Sequence, residues 1–159
     1  MRIAVRSLGT QARVVQDQRV TDHRQLGVDL FNETWRLLES RDDDTLMIDC
    51  AHASAYHWAL APECKPENRA RSAWQISRVY TVAGRAAEAL FHAERCFQLC
   101  ERYSLGDWDL AYAYEALARA SLAAGDREAA GQYVELAQAV EIRDADDRAQ
   151  LAGDLKTLR

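Results

Sequence analysis

The sequence predicts an all-α protein of about seven helices arranged as antiparallel hairpins, and three observations carry that expectation. Alanine, the strongest helix former, is concentrated late in the chain: 2 of 28 alanines fall in residues 1–50 and 26 in residues 51–159. Apolar residues recur at steps of three and four, the spacing that keeps one helical face out of water. Strand signals are confined to Ile3–Val5 and Val14–Val15, too short and isolated to build a sheet.

The elements follow in order. Thr21 or Asp22 caps a first helix whose apolar stripe is Leu26, Leu30, Phe31, Trp35 and Leu38, ending near Ser40. The acidic run Asp42–Asp44 suits the positive end of a second helix carrying Leu46, Met47, Cys50, Ala53, Tyr56 and His57 towards Pro62. A third helix runs from Pro66, at home in a first turn, to about Ala83, with Gly84 as a left-handed stop. The fourth covers Ala86–Tyr103. After Ser104–Leu105–Gly106, Asp107 is expected as the N-cap of a fifth helix ending at Gly125. Asp126 starts a sixth, through about Ile142, and a last helix spans about Ala145–Leu158. Such a chain makes either a helical solenoid or a bundle.

Composition bounds the partners. The chain has 159 residues, 48% of them hydrophobic, enough for one compact domain or a short repeat array. With 20 basic against 25 acidic side chains the formal charge is −5, which argues against general affinity for nucleic acid or anionic lipid. No apolar run approaches the roughly 20 residues of a membrane-spanning helix, and the start lacks a secretory signal pattern. Cys50, Cys64, Cys96 and Cys100 are therefore expected as reduced thiols, and a cytoplasmic location follows. Residues 1–20, with Arg2, Arg6, Arg13 and Arg19 against Asp17 alone, read as a flexible or weakly ordered basic arm, leaving 21–159 as the helical domain.

An internal repeat selects the solenoid. Gly84-Arg85-Ala86-Ala87-Glu88-Ala89 and Gly125-Asp126-Arg127-Glu128-Ala129-Ala130 share one form 41 residues apart, each between two helices. On these residues the sequence resembles the tetratricopeptide repeat family, in which paired helices pack through small side chains and turn at a glycine. The resemblance implies that the small positions are Ser77, Gly84, Ala89 and Cys96 in one unit and Ala118, Gly125, Ala130 and Ala137 in the next. The period exceeds the usual ~34 residues, and a longer turn around Ser104–Asp109 absorbs the excess. It divides the domain into a degenerate repeat (21–61), two repeats (66–103 and 107–143) and a capping helix (145–158), with Asp43 in the first turn.

The resemblance also implies a function: a protein-protein interaction scaffold that takes a peptide or partner protein on a concave face lined by the first helix of each pair, without enzymatic activity or cofactor. Arg71, Trp74 and Arg78 follow an i, i+3, i+7 pattern on helix three, and Tyr112, Glu115 and Arg119 do so on helix five, so each trio shares one face. Guanidinium groups beside aromatic rings suit a carboxylate or phosphate with an apolar neighbour, which favours acidic or C-terminal peptides. The bland reading is that Trp74 is core and that Glu115 pairs with Arg78 or Arg119 to hold the hairpins together. Self-association into a homodimer is a further expectation.

A competing reading is a small metal- or ligand-binding enzyme. His92, Cys96 and Cys100 recur every four residues along helix four and would present soft ligands on one stripe, with His52, His57 and Asp49 of helix two nearby. Tight Cys-x-x-Cys pairs are missing, and a buried cysteine also behaves as a small hydrophobe, so packing is the simpler account. His52 and His57 lie about 140° apart around a helix axis and do not form one ligand pair. No nucleophile elbow, phosphate loop or HExxH motif accompanies them.

Overall fold

The computed structural model describes residues 21–158, which form seven α-helices and no strand. These are α1 (His23–Ser40), α2 (Asp44–Leu60), α3 (Pro66–Val82), α4 (Ala86–Tyr103), α5 (Asp107–Ala123), α6 (Arg127–Ala139) and α7 (Ala145–Lys156). The basic segment 1–20, with both β-leaning stretches, lies outside the described residues. α1 packs on α2, α3 on α4 and α5 on α6, and the three hairpins join through α2 against α3 and α4 against α5. α1, α3, α5 and α7 also touch in succession, whereas among the described residues α2, α4 and α6 make no comparable contact with one another. The result is two layers of unequal tightness.

Local chemistry sets most helix ends. The carboxylates of Asp22, Asp43 and Asp126 each accept a backbone N–H of the first turn, from Gln25, Leu46 and Ala129, all at 2.9 Å. Asp144 accepts from Asp146 and Asp147 in the same way at the start of α7. Asp107 departs from expectation: it is the first residue of α5, at φ 55°, and Gly106 holds the cap position. Its carboxylate accepts from its neighbour Trp108 N and, across the structure, from Arg143 N, so it ties the α6–α7 linker to the start of α5. α6 also stops at Ala139, short of Ile142, because the chain becomes extended at Val140 and Ile142 turns into the core.

The two glycine turns are built alike. Gly84 (φ 72°) donates to Thr81 O while Arg85 N donates to Tyr80 O; Gly125 (φ 86°) donates to Leu122 O while Asp126 N donates to Ser121 O. A β-carbon at either glycine would meet open space, so only the left-handed backbone opposes one. Gly84→Ala and Gly125→Ala are each expected to lower stability by about 1–2 kcal/mol, seen as an earlier urea midpoint. An unchanged midpoint would show that the turn relaxes without cost. In the first hairpin Asp43 does stand in the turn, but the left-handed residue is Arg41.

Small residues fill the helix crossings. Ser77, Ala89 and Cys96, and then Ala118, Ala130 and Ala137, are all buried, and the Ser77 hydroxyl donates to Ala89 O across the α3–α4 contact at 2.8 Å. Leu37 and Met47 extend the apolar core into the first hairpin.

Candidate functional site

Where α3 meets α5, residues 41 positions apart face each other. Trp74 Nε1 donates to Glu115 Oε2 at 3.2 Å, and the other carboxylate oxygen accepts from Arg119 Nε at 2.6 Å and Arg78 Nη1 at 3.4 Å. Glu115 is 1% exposed, so this carboxylate is held wholly by protein donors. α7 closes the far side: Tyr112 donates to Asp154 Oδ2 at 2.7 Å, and Arg119 Nη2 donates to Thr157 Oγ1. Burial and the Asp154 carboxylate push the Tyr112 hydroxyl well above its ordinary pKa, fixing it as a donor. Burial and neighbouring Arg119 lower the Arg78 guanidinium, with Glu115 opposing them.

Five of the six residues singled out in the sequence, Trp74, Arg78, Tyr112, Glu115 and Arg119, therefore converge, but they bond chiefly to one another and to α7; Arg71 stands apart from them. Trp74, Tyr112 and Glu115 are buried among side chains. Arg71 faces solvent, forked onto Asp109 at 2.7 and 3.0 Å with its guanidinium 5.2 Å from the Trp108 ring centroid. That fork holds Arg71 above its ordinary pKa. Arg78 is one-quarter exposed and makes a single long hydrogen bond.

Rings run across the tighter layer. Phe31 and Trp35 of α1 lie 6.3 Å apart by centroid, Trp35 is 5.4 Å from Trp74, and Trp74 is 5.7 Å from Trp108 and 5.3 Å from Tyr112. Beside this ladder, Arg71 borders three adjoining hollows. One of about 170 Å³ is lined by Val28, Phe31, Trp58 and Asn68. A wider one of about 430 Å³ reaches Arg24, Glu63 and Lys65, and a third of about 270 Å³ lies over Trp108, Asp147 and Gln150. Phe31, Trp35, Trp58, Asp109 and Asp154 were not singled out as site residues from the sequence. Gly27, a glycine inside an apolar helical stripe, was the available signal for Trp58, whose ring lies 3.0 Å from where a Gly27 β-carbon would sit.

The histidines and cysteines divide. Cys96 and Cys100 are buried, Cys100 Sγ donates to Asp109 O at 3.6 Å, and Cys100 together with burial pushes the Cys96 thiol up. His92 leaves that stripe to stack on Tyr80 and meet His52 edge-on, at centroid distances of 5.6 and 5.5 Å. His57 turns instead to His23, their Nδ1 atoms 2.8 Å apart. Among the described residues no group of three or more His, Cys, Asp or Glu is placed to hold a metal ion.

No family model, curated protein or solved structure matches the chain. Among the described residues no helix is long and apolar enough to cross a membrane.

Proposed function

We propose that the chain is a tetratricopeptide-like scaffold that binds a peptide segment of a partner protein, acidic or C-terminal in character, across α1, α3 and α5. The carrying observation is Arg71, a half-exposed guanidinium that is forked onto Asp109 and rims three hollows beside a ladder of aromatic rings. Helices that touch in succession form the inner, concave layer of a curved stack, and the ladder belongs to that layer. An apolar side chain of the peptide fills the hollow between Val28, Phe31 and Trp58, and its carboxylate meets Arg71, Arg24 or Lys65. Arg78 and Arg119 serve mainly to hold Glu115, so the binding charge moves along α3 towards Arg71. The four free thiols support a cytoplasmic setting, and a second copy of the chain is one partner the surface admits.

Selection of displayed peptides with free C-termini against the purified chain tests this. Enriched peptides are expected to bind Arg71→Ala and Phe31→Ala about tenfold or more weaker than the parent, the loss of one good contact. Phe31→Ala trims a half-buried ring and Arg71→Ala leaves the mostly buried Asp109 without its partner, so affinities are compared at a temperature where all three proteins are folded. Equal affinity for the parent and both variants, or no enrichment over scrambled peptides, would remove the proposal. Light scattering reports whether self-association competes for the same face.

A further inference from the structure

On the other side of α3 lies a cavity of about 130 Å³ between α2, α3 and α4, where one water needs roughly 10–15 Å³. His52 of α2, Arg69 and Ser72 of α3, and His92 and Arg95 of α4 line it. Three features distinguish it from packing space. His92 Nδ1 is buried and, among the described residues, has no hydrogen-bond partner. Arg69 and Arg95 also line the cavity, yet no ion pair or side-chain hydrogen bond engages either among the described residues. His52 Nε2 is fixed 2.9 Å from the Tyr80 hydroxyl, and the Arg85 guanidinium stacks over the Tyr80 ring at 5.0 Å from its centroid.

We infer that this cavity binds a small oxyanion of the phosphate or sulfate type. Two guanidinium groups offer forked donors that match tetrahedral oxygens, and the His52 and His92 rings add imidazole walls to the same space. A metal cation suits the two imidazoles but meets the repulsion of both arginines, so the anion is the better occupant.

Protonation follows from the same surroundings. Burial, His52 and Arg95 lower the His92 pKa to about 4, so the ring is neutral in the empty site. Burial also lowers His52, with Asp49 of α2 opposing. From α3 the facing groups are Arg69 and Tyr80, and from α4 Arg95. An anion among them offsets the positive field and raises the His92 pKa, so binding takes up a proton and strengthens as pH falls.

Calorimetric titration of the full chain with sodium phosphate, sodium sulfate and phosphoserine tests the assignment. Saturable binding of one anion per chain is expected, with about tenfold or more lost in the Arg69→Ala/Arg95→Ala double variant, equivalent to about 1.4 kcal/mol. Sulfate keeps its charge across the range, and it is expected to bind tighter at about pH 5.5 than at about pH 7.5, a dependence that His92→Gln removes. Phosphoserine binding as well as phosphate would identify a phosphorylated side chain as a source, and phosphate alone a free ion. Absence of saturable binding by phosphate and sulfate, or full binding by the double variant with an unchanged melt, would overturn the inference. So would zinc binding that depends on His52 while the anions are ignored.

Discussion

Glu115→Ala is expected to cost about 3–5 kcal/mol of stability, the range for removing one partner of a buried ion pair. The carboxylate is 1% exposed and accepts from Arg78, Arg119 and Trp74. Without it two guanidinium groups face each other in a partly buried site, with Asp154 left as the neighbouring counter-charge. The indole N–H also loses its acceptor. For a domain of this size the shift is about 10–20 °C in Tm. Glu115→Gln keeps an acceptor for Trp74 and is expected to fall between the alanine variant and the parent. Urea melts of the three proteins check the order. A loss below about 1 kcal/mol for the alanine variant would mean that water enters and solvates both arginines, and that the cluster does not hold α3 to α5.

What the sequence revealed was what short-range chemistry decides. Asp22 is legible as a cap and Asp126 as a helix start because each carboxylate bonds three residues ahead, Asp43 only as part of an acidic run in a turn, and Gly84 and Gly125 as turns because a left-handed backbone favours glycine. Asp107 was misplaced by one position because its carboxylate also serves Arg143 across the fold. α6 ran short for a similar reason, with Ile142 drawn into the core beside α7. The polar cluster was readable as a set, since an i, i+3, i+7 spacing and a 41-residue offset bring Trp74 and Glu115 together. Its closure was not: Asp154 and Thr157 depend on where α7 lands on α5, which no local periodicity encodes. The hollow beside Phe31 depends likewise on how Trp58 crosses Gly27.

Trp74→Ala is expected to remove about 3–5 kcal/mol, the usual range for deleting a buried tryptophan side chain. Trp74 is the branch point of the ladder, touching Trp35, Trp108 and Tyr112, and its deletion opens a void between α1, α3 and α5 that three fixed rings cannot fill. Trp74→Phe separates packing from hydrogen bonding. The smaller ring keeps most of the contact but leaves Glu115 Oε2 without its indole donor, at a cost of about 1–3 kcal/mol. If the ladder also sets the shape of the partner groove, selected peptides should still bind the phenylalanine variant but lose about tenfold or more against the alanine variant, measured where both are folded. Binding unaffected by Trp74→Ala would confine recognition to the outer hollows around Arg71 and leave the ladder a purely structural seam. A Trp74→Phe variant as unstable as Trp74→Ala would show that the single bond from indole to carboxylate, rather than ring burial, fixes the distance between α3 and α5.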